Sequence, residues 1–158
     1  GAEDVPVTVA LRDLYQDVVF DHARAPRNRR RPARSNHRAQ GHNPLCGDKV
    51  TVHLDVADGI IRDAAFEGEG CAIATASASL MTEAVKGKPV EEAERLLEGF
   101  HHMVTDPQAA AHPELGKLEV LAGVREFPVR VKCATLAWRT FHAALHGGDA
   151  PVSTEEGQ

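Results

Sequence analysis

Residues 49 to 67 carry a pattern that few folds can accommodate: a strand, a two-residue turn and a second strand, with a cysteine just outside each end. Val50, Val52, Leu54 and Val56 alternate with polar residues, the period of a half-buried strand. Asp58-Gly59 is a hairpin turn pair, and Ile60 to Glu67 reads as the returning strand. An antiparallel pair places the start of its first strand beside the end of its second. Cys46 precedes the first and Cys71 follows the second, so the hairpin delivers both thiols to one end.

Helical periods surround this hairpin. Leu11, Leu14, Tyr15, Val18 and Val19 line one face over Val9 to His22, and Pro26 ends that helix. Arg27 to Gly41 is polar and reads as a loop. Ile73, Ala76, Leu80 and Ala84 predict a helix over Ala72 to Val85, broken by Gly87-Lys88-Pro89. Val90 to Met103 predicts another, with Glu91, Glu92 and Glu94 near its positive end. Asp106 to Glu114 reads as loop and Leu115 to Leu121 as a short helix. Pro128 starts a last helix through Cys133, Leu136, Ala137, Phe141 and Leu145 to Gly147-Gly148. One domain over 9–147 is expected, with flexible residues 1–8 and 148–158. The class is α+β, a small antiparallel sheet flanked by helices.

At 158 residues and 42% hydrophobic, the chain can bury a core of its own. A net charge of −5 argues against nucleic acid, and the basic run with Arg27, Arg29, Arg30, Arg31 and Arg34 has no aromatic to stack on bases. That run reads as a solvated loop or as a docking surface for an acidic protein. No apolar run approaches the roughly 20 residues of a membrane span, and no secretory leader is visible. Three cysteines, an odd number, suit a reducing cytoplasm in which thiols bind metal or react.

All three thiols sit where a thiolate is at home. In Leu45-Cys46-Gly47-Asp48 a glycine turn brings a carboxylate two positions from sulfur. Cys71 follows Gly68-Glu69-Gly70 at a helix start, where unpaired N–H groups favour an anion. Cys133 follows Arg130-Val131-Lys132, whose cations could also attract an anionic sulfur species. Three sulfurs and one carboxylate can fill a tetrahedral zinc site or hold part of an iron–sulfur cluster. The plainer readings stand beside this: buried cysteines are ordinary small apolar residues, and Asp after Gly is a common turn residue. The intervals of 25 and 62 positions between cysteines are not those of a zinc finger. His37, His42, His101, His102 and His142 are expected to pack or face solvent, and His22 to close the first helix with a hydrogen bond. No histidine adjoins a cysteine and no Cys-x-x-Cys exists, which disfavours a cysteine hydrolase or thiol redox enzyme.

Four stretches in order now show a likeness. They are Leu14-Tyr15 with Asp21-His22 and Pro26-Arg27-Asn28; Asn43-Pro44-Leu45-Cys46-Gly47-Asp48; Gly68-Glu69-Gly70-Cys71-Ala72-Ile73 with Ser77-Ala78-Ser79; and Arg130-Val131-Lys132-Cys133-Ala134 with Trp138. Together they resemble the U-type iron–sulfur cluster assembly proteins over about residues 11 to 146. Lys132 stands where the IscU type has histidine, Phe127-Pro128-Val129-Arg130 replaces its chaperone motif, and the stretch from Cys71 to Cys133 is longer. These departures resemble the SufU type.

The resemblance implies a SufE/IscU-like fold and zinc held by Cys46, Asp48, Cys71 and Cys133. It implies a zinc-dependent sulfur acceptor working with a SufS-type cysteine desulfurase, and downstream iron–sulfur scaffold or carrier proteins. Cys46 would be the nucleophile, freed when a desulfurase residue takes its place on zinc, with Arg130 and Lys132 steering the persulfide. The alternatives are a scaffold that builds and transfers a [2Fe–2S] cluster on the same residues, and a binding module with structural zinc.

Overall fold

A computed structural model describes residues 17–106, 108, 113–147 and 152–153. Three strands run in succession: β1 (His37–Asn43), β2 (Asp48–Ala57) and β3 (Ile60–Glu69), each antiparallel to the next. The hairpin forms as its alternation predicts. Asp58 and Gly59 take φ of 54° and 75°, the positive values its tight turn needs. Val50, Val52 and Leu54 on β2 and Ile61, Ala64 and Phe66 on β3 are buried.

β1 corrects the loop expected over 27–41. Its buried residues are Ala39, Gly41 and Asn43, too small or too polar to register as a hydrophobic alternation. They are small because a helix crosses them. α1 (residues 17–24) is followed by α2 (Ala72–Val85), α3 (Val90–Thr105) and α4 (Pro128–Leu145), and α4 packs on β1 and β2 while α2 packs on β3. A side chain at Gly41 would run into Thr140 and Leu136 of α4. Val152–Ser153 form β4, parallel to β1 at Gly41 and His42, giving the order β3-β2-β1-β4. The helix expected to begin at Val9 is described from residue 17 and stops before Pro26; its first half lies outside the described residues, as does the expected flexible N-terminus.

The stretch Pro113–Glu126 is a 3-10 run kinked at Gly116, longer than the short helix expected. Its buried residues explain the choice: Leu115, Leu118, Leu121 and Val124 recur every three positions, the repeat of a 3-10 helix. With α3 it packs onto α2 and α4. There Phe100 stacks on Trp138 at 4.9 Å and Phe141 meets Trp138 edge-on at 6.1 Å. Each such aromatic contributes on the order of 2–3 kcal/mol by leaving water. No helix among the described residues is long and apolar enough to cross a membrane.

The basic stretch is tied to the protein. Arg27 pairs with Asp21, Arg29 donates to the Gly68 carbonyl, and Arg30 pairs with Asp63 at 2.7 Å. Backbone bonds between Asn28, Arg30 and Phe66 lay this segment along the outer edge of β3. His22, 1% exposed, makes a structural hydrogen bond as expected, but one that ties α1 to α2 rather than closing α1: its Nδ1 is 2.7 Å from Ser79 Oγ. Burial holds its pKa below the usual 6.5, with Arg27 adding to the effect. The unfolded chain therefore takes up a proton as pH falls below 6.5 while the folded chain resists. Stability from this group is complete above pH 6.5 and declines below it. Urea unfolding between pH 5 and 8 is expected to show a shallower acid decline for His22→Gln than for the wild type. An unchanged slope would remove His22 as the cause.

Candidate functional site

The end of the sheet that holds Cys46 is built from a tight connection. Asn43 ends β1, Asp48 starts β2, and the two are register partners. Between them the chain turns through Pro44–Gly47, with Cys46 and Gly47 N–H both donating to the Asn43 carbonyl at 3.3 and 2.8 Å. Gly47 takes φ +73°, a conformation that suits glycine. Cys46 therefore rides exposed on the turn, whereas Asp48 points inward and is fully buried.

Cys133 enters from α4, 2% exposed. Pro128 at the first helical position sets that helix's start, and Cys133 lies beyond its first turn. Its sulfur is 3.5 Å from that of Cys46. Cys46, Asp48 and Cys133 offer donor atoms all within 4.8 Å of one another. Cys71 stands beside them as the N-cap of α2, accepting from Ala74 N–H at 3.4 Å, with its sulfur 4.0 Å from Asp48 Oδ2. Its backbone N–H donates to Asp48 Oδ1 at 2.9 Å. Gly70 makes that approach possible, since a Cβ there would sit 2.7 Å from Asp48 Oδ1.

Tetrahedral zinc with bonds of about 2.3 Å to sulfur and 2.0 Å to oxygen separates its ligand atoms by about 3.5–3.8 Å. The Cys46–Cys133 separation is within about 0.3 Å of the sulfur–sulfur edge, and the Cys71–Asp48 one is about 0.5 Å longer than the sulfur–oxygen edge, with Cys71 just outside the three-donor group. The donor chemistry fits as well: two or three sulfurs around a buried carboxylate that pairs with no cation among the described residues. Burial pushes the Cys133 thiol far above its usual range, and the neighbouring Cys46, Cys71 and Asp48 push it further. A cation among these groups would reverse that preference.

The expected steering residues lie on the first turns of α4. The Arg130 guanidinium is 5.7 Å from the Phe127 ring centroid, and Lys132 is half-buried next to Cys133. No histidine belongs to the three-donor group; His53 bonds Glu67, His102 bonds Asp106 and His146 bonds Glu94. The residue that sequence reasoning passed over is Asn43. It is fully buried, and its Nδ2 donates to Asp48 Oδ2 at 3.2 Å and to Cys133 Sγ at 3.6 Å. The signal was its place directly before the Pro44–Gly47 turn, hidden once β1 was read as loop.

The family described as NifU-like N terminal domain matches residues 14–145. Zinc-dependent sulfurtransferase SufU of Bacillus subtilis (strain 168) is 41% identical over 147 residues, covering 93% of this chain and 95% of its own. Iron–sulfur cluster assembly scaffold protein IscU of Streptococcus pyogenes serotype M1 is 43% identical over 135 residues, covering 85% and 84%. Among solved structures, FiSufU of Fervidobacterium islandicum AW-1, assigned as an iron–sulfur scaffold of the SUF system, superimposes with a TM-score of 0.77 at 30% identity. It covers 81% of this chain and 93% of its own. A sheet flanked by helices, thiols converging at one end and these matches lead to one conclusion: the chain belongs to the NifU-like N-terminal domain family, the U-type iron–sulfur cluster assembly proteins that include SufU and IscU.

Proposed function

We propose that this protein accepts sulfur from the persulfide of a SufS-type cysteine desulfurase and passes it toward iron–sulfur cluster assembly, with zinc held by Cys46, Asp48, Cys71 and Cys133. One observation carries the reading: Cys46 is exposed on a glycine turn, 3.5 Å from a Cys133 that is buried. Only one of the two is presented to another protein. The likeness to the Bacillus SufU supports the choice of metal and reaction.

Bound zinc supplies positive charge that keeps the surrounding sulfurs as thiolates at neutral pH. The chain's residues do the rest. Asp48, held by Cys71 N–H and Asn43, provides an oxygen ligand harder than sulfur. Cys46 thiolate attacks the outer sulfur of the desulfurase persulfide. A new S–S bond forms at Cys46, the old one breaks, and the desulfurase cysteine departs as thiolate. The transferred sulfur keeps the proton or charge with which it arrived, so no outside oxidant or reductant is consumed. Arg130 and Lys132 steer the incoming anion. Leu45, Phe127 and Val129, each at least half exposed, flank Cys46 or open α4 and offer the apolar surface a protein partner needs.

Elemental analysis of the purified protein tests this alongside sulfide release by a desulfurase with and without it. One zinc per chain and faster sulfide release are expected. Iron with acid-labile sulfide, and no acceleration, would favour a scaffold that assembles a [2Fe–2S] cluster on the same residues, as the name of the Streptococcus relative suggests.

A further inference from the structure

The ligand residues are not held equally. Asp48 receives N–H bonds from Cys71 and from the Asn43 side chain, Cys71 receives one from Ala74, and Cys133 receives one from Asn43. Among the described residues Cys46 Sγ receives no N–H bond; its neighbour is Cys133 Sγ. An N–H donated to a thiolate disperses its charge and weakens it as a nucleophile. A ligand that lacks one is not oriented by the surrounding protein and is more reactive once free.

We infer that Asn43 is a positioning residue that selects Cys46 as the departing ligand, by pinning Asp48 and Cys133 through one amide group. Three observations converge on it. Its Nδ2 touches two ligand residues from different elements, one on β2 and one on α4. Its Oδ1 accepts from Leu45 N–H at 3.3 Å and its carbonyl from Cys46 and Gly47, so the same residue shapes the turn carrying Cys46. It is fully buried, so water does not compete for these bonds. The inference rests on the sulfur-acceptor reading and adds to it the reason why Cys46 rather than Cys133 is used; Cys71, also exposed, is held by Ala74 instead.

Asn43→Asp separates the two roles, because a carboxylate still accepts from Leu45 N–H and cannot donate to Asp48 or Cys133. Wild type and variant are compared at saturating zinc by iodoacetamide labelling, with each cysteine read by mass spectrometry, and by steady-state sulfur transfer. In the wild type Cys46 labels first. In the variant Cys133 labelling relative to Cys46 is expected to rise about tenfold or more. The kcat for sulfur transfer should fall by a similar factor, with KM for the desulfurase unchanged. Labelling still confined to Cys46, together with wild-type kcat, would overturn the role of Asn43. Should Asn43→Asp not fold, Asn43→Ala, which removes the donor to Asp48 and Cys133 and leaves the backbone carbonyl that accepts from Cys46 and Gly47, carries the labelling comparison. A wild-type protein that takes up no sulfur would instead sink the sulfur-acceptor reading, while the labelling order, measured without desulfurase, still decides for or against Asn43.

Discussion

Cys46→Ala is expected to lower sulfur transfer to this protein by more than about a hundredfold, as loss of an essential nucleophile does. Its metal-free stability should stay within about 0.5 kcal/mol of wild type. The two halves follow from the same position. The side chain is exposed on a turn whose shape comes from Asn43 and Gly47, and its sulfur lies 3.5 Å from Cys133 Sγ. Little packing is lost with it. Persulfide transfer from a desulfurase and urea unfolding of the chelator-treated protein measure the pair. Transfer at the wild-type rate would move the acceptor to Cys71 or Cys133. A large loss of stability would mean that the variant cannot separate chemistry from folding.

Asp48→Asn should lose metal binding and retain the turn. The amide keeps an oxygen to accept from Cys71 N–H, which lies 2.9 Å away, and nearly the same volume under Gly70. It no longer offers a charged oxygen to a cation. A ligand present at 1,000 times its dissociation constant stabilises a fold by about 4 kcal/mol. Most of that gain is expected to disappear in Asp48→Asn, while the metal-free variant stays within about 1 kcal/mol of wild type. Thermal unfolding with and without zinc gives both numbers. An undiminished zinc-dependent gain would show that the three cysteines suffice and that Asp48 is a structural residue of the turn.

The hairpin was legible in the sequence because Val50, Val52 and Leu54 recur at period two on its first strand, and Asp58-Gly59 leaves the turn little choice. α2 was legible from Ile73, Ala76, Leu80 and Ala84 at helical spacing, and α4 because Pro128 marks its start. What stayed hidden shares one cause. β1 packs under a helix so closely that its inward positions hold Ala39, Gly41 and Asn43, and a strand of small residues carries no hydrophobic alternation. Missing that strand also concealed that Asn43 and Asp48 are paired. The four proposed ligand residues came from the motifs and the family likeness rather than from spacing. Sequence alone also gave no sign that Cys71 would turn its sulfur toward Ala74 at the start of its own helix.

Gly41 carries a consequence beyond its strand. Its missing side chain is what lets Thr140 and Leu136 press against β1, and Thr140 lies about two helical turns along α4 from Cys133. The gap between the two facing sulfurs is thus gauged from two turns along the same face of that helix, by a position bearing only hydrogen. A methyl group there would act as a shim under α4, lifting one jaw of the site away from the other without altering any residue within it.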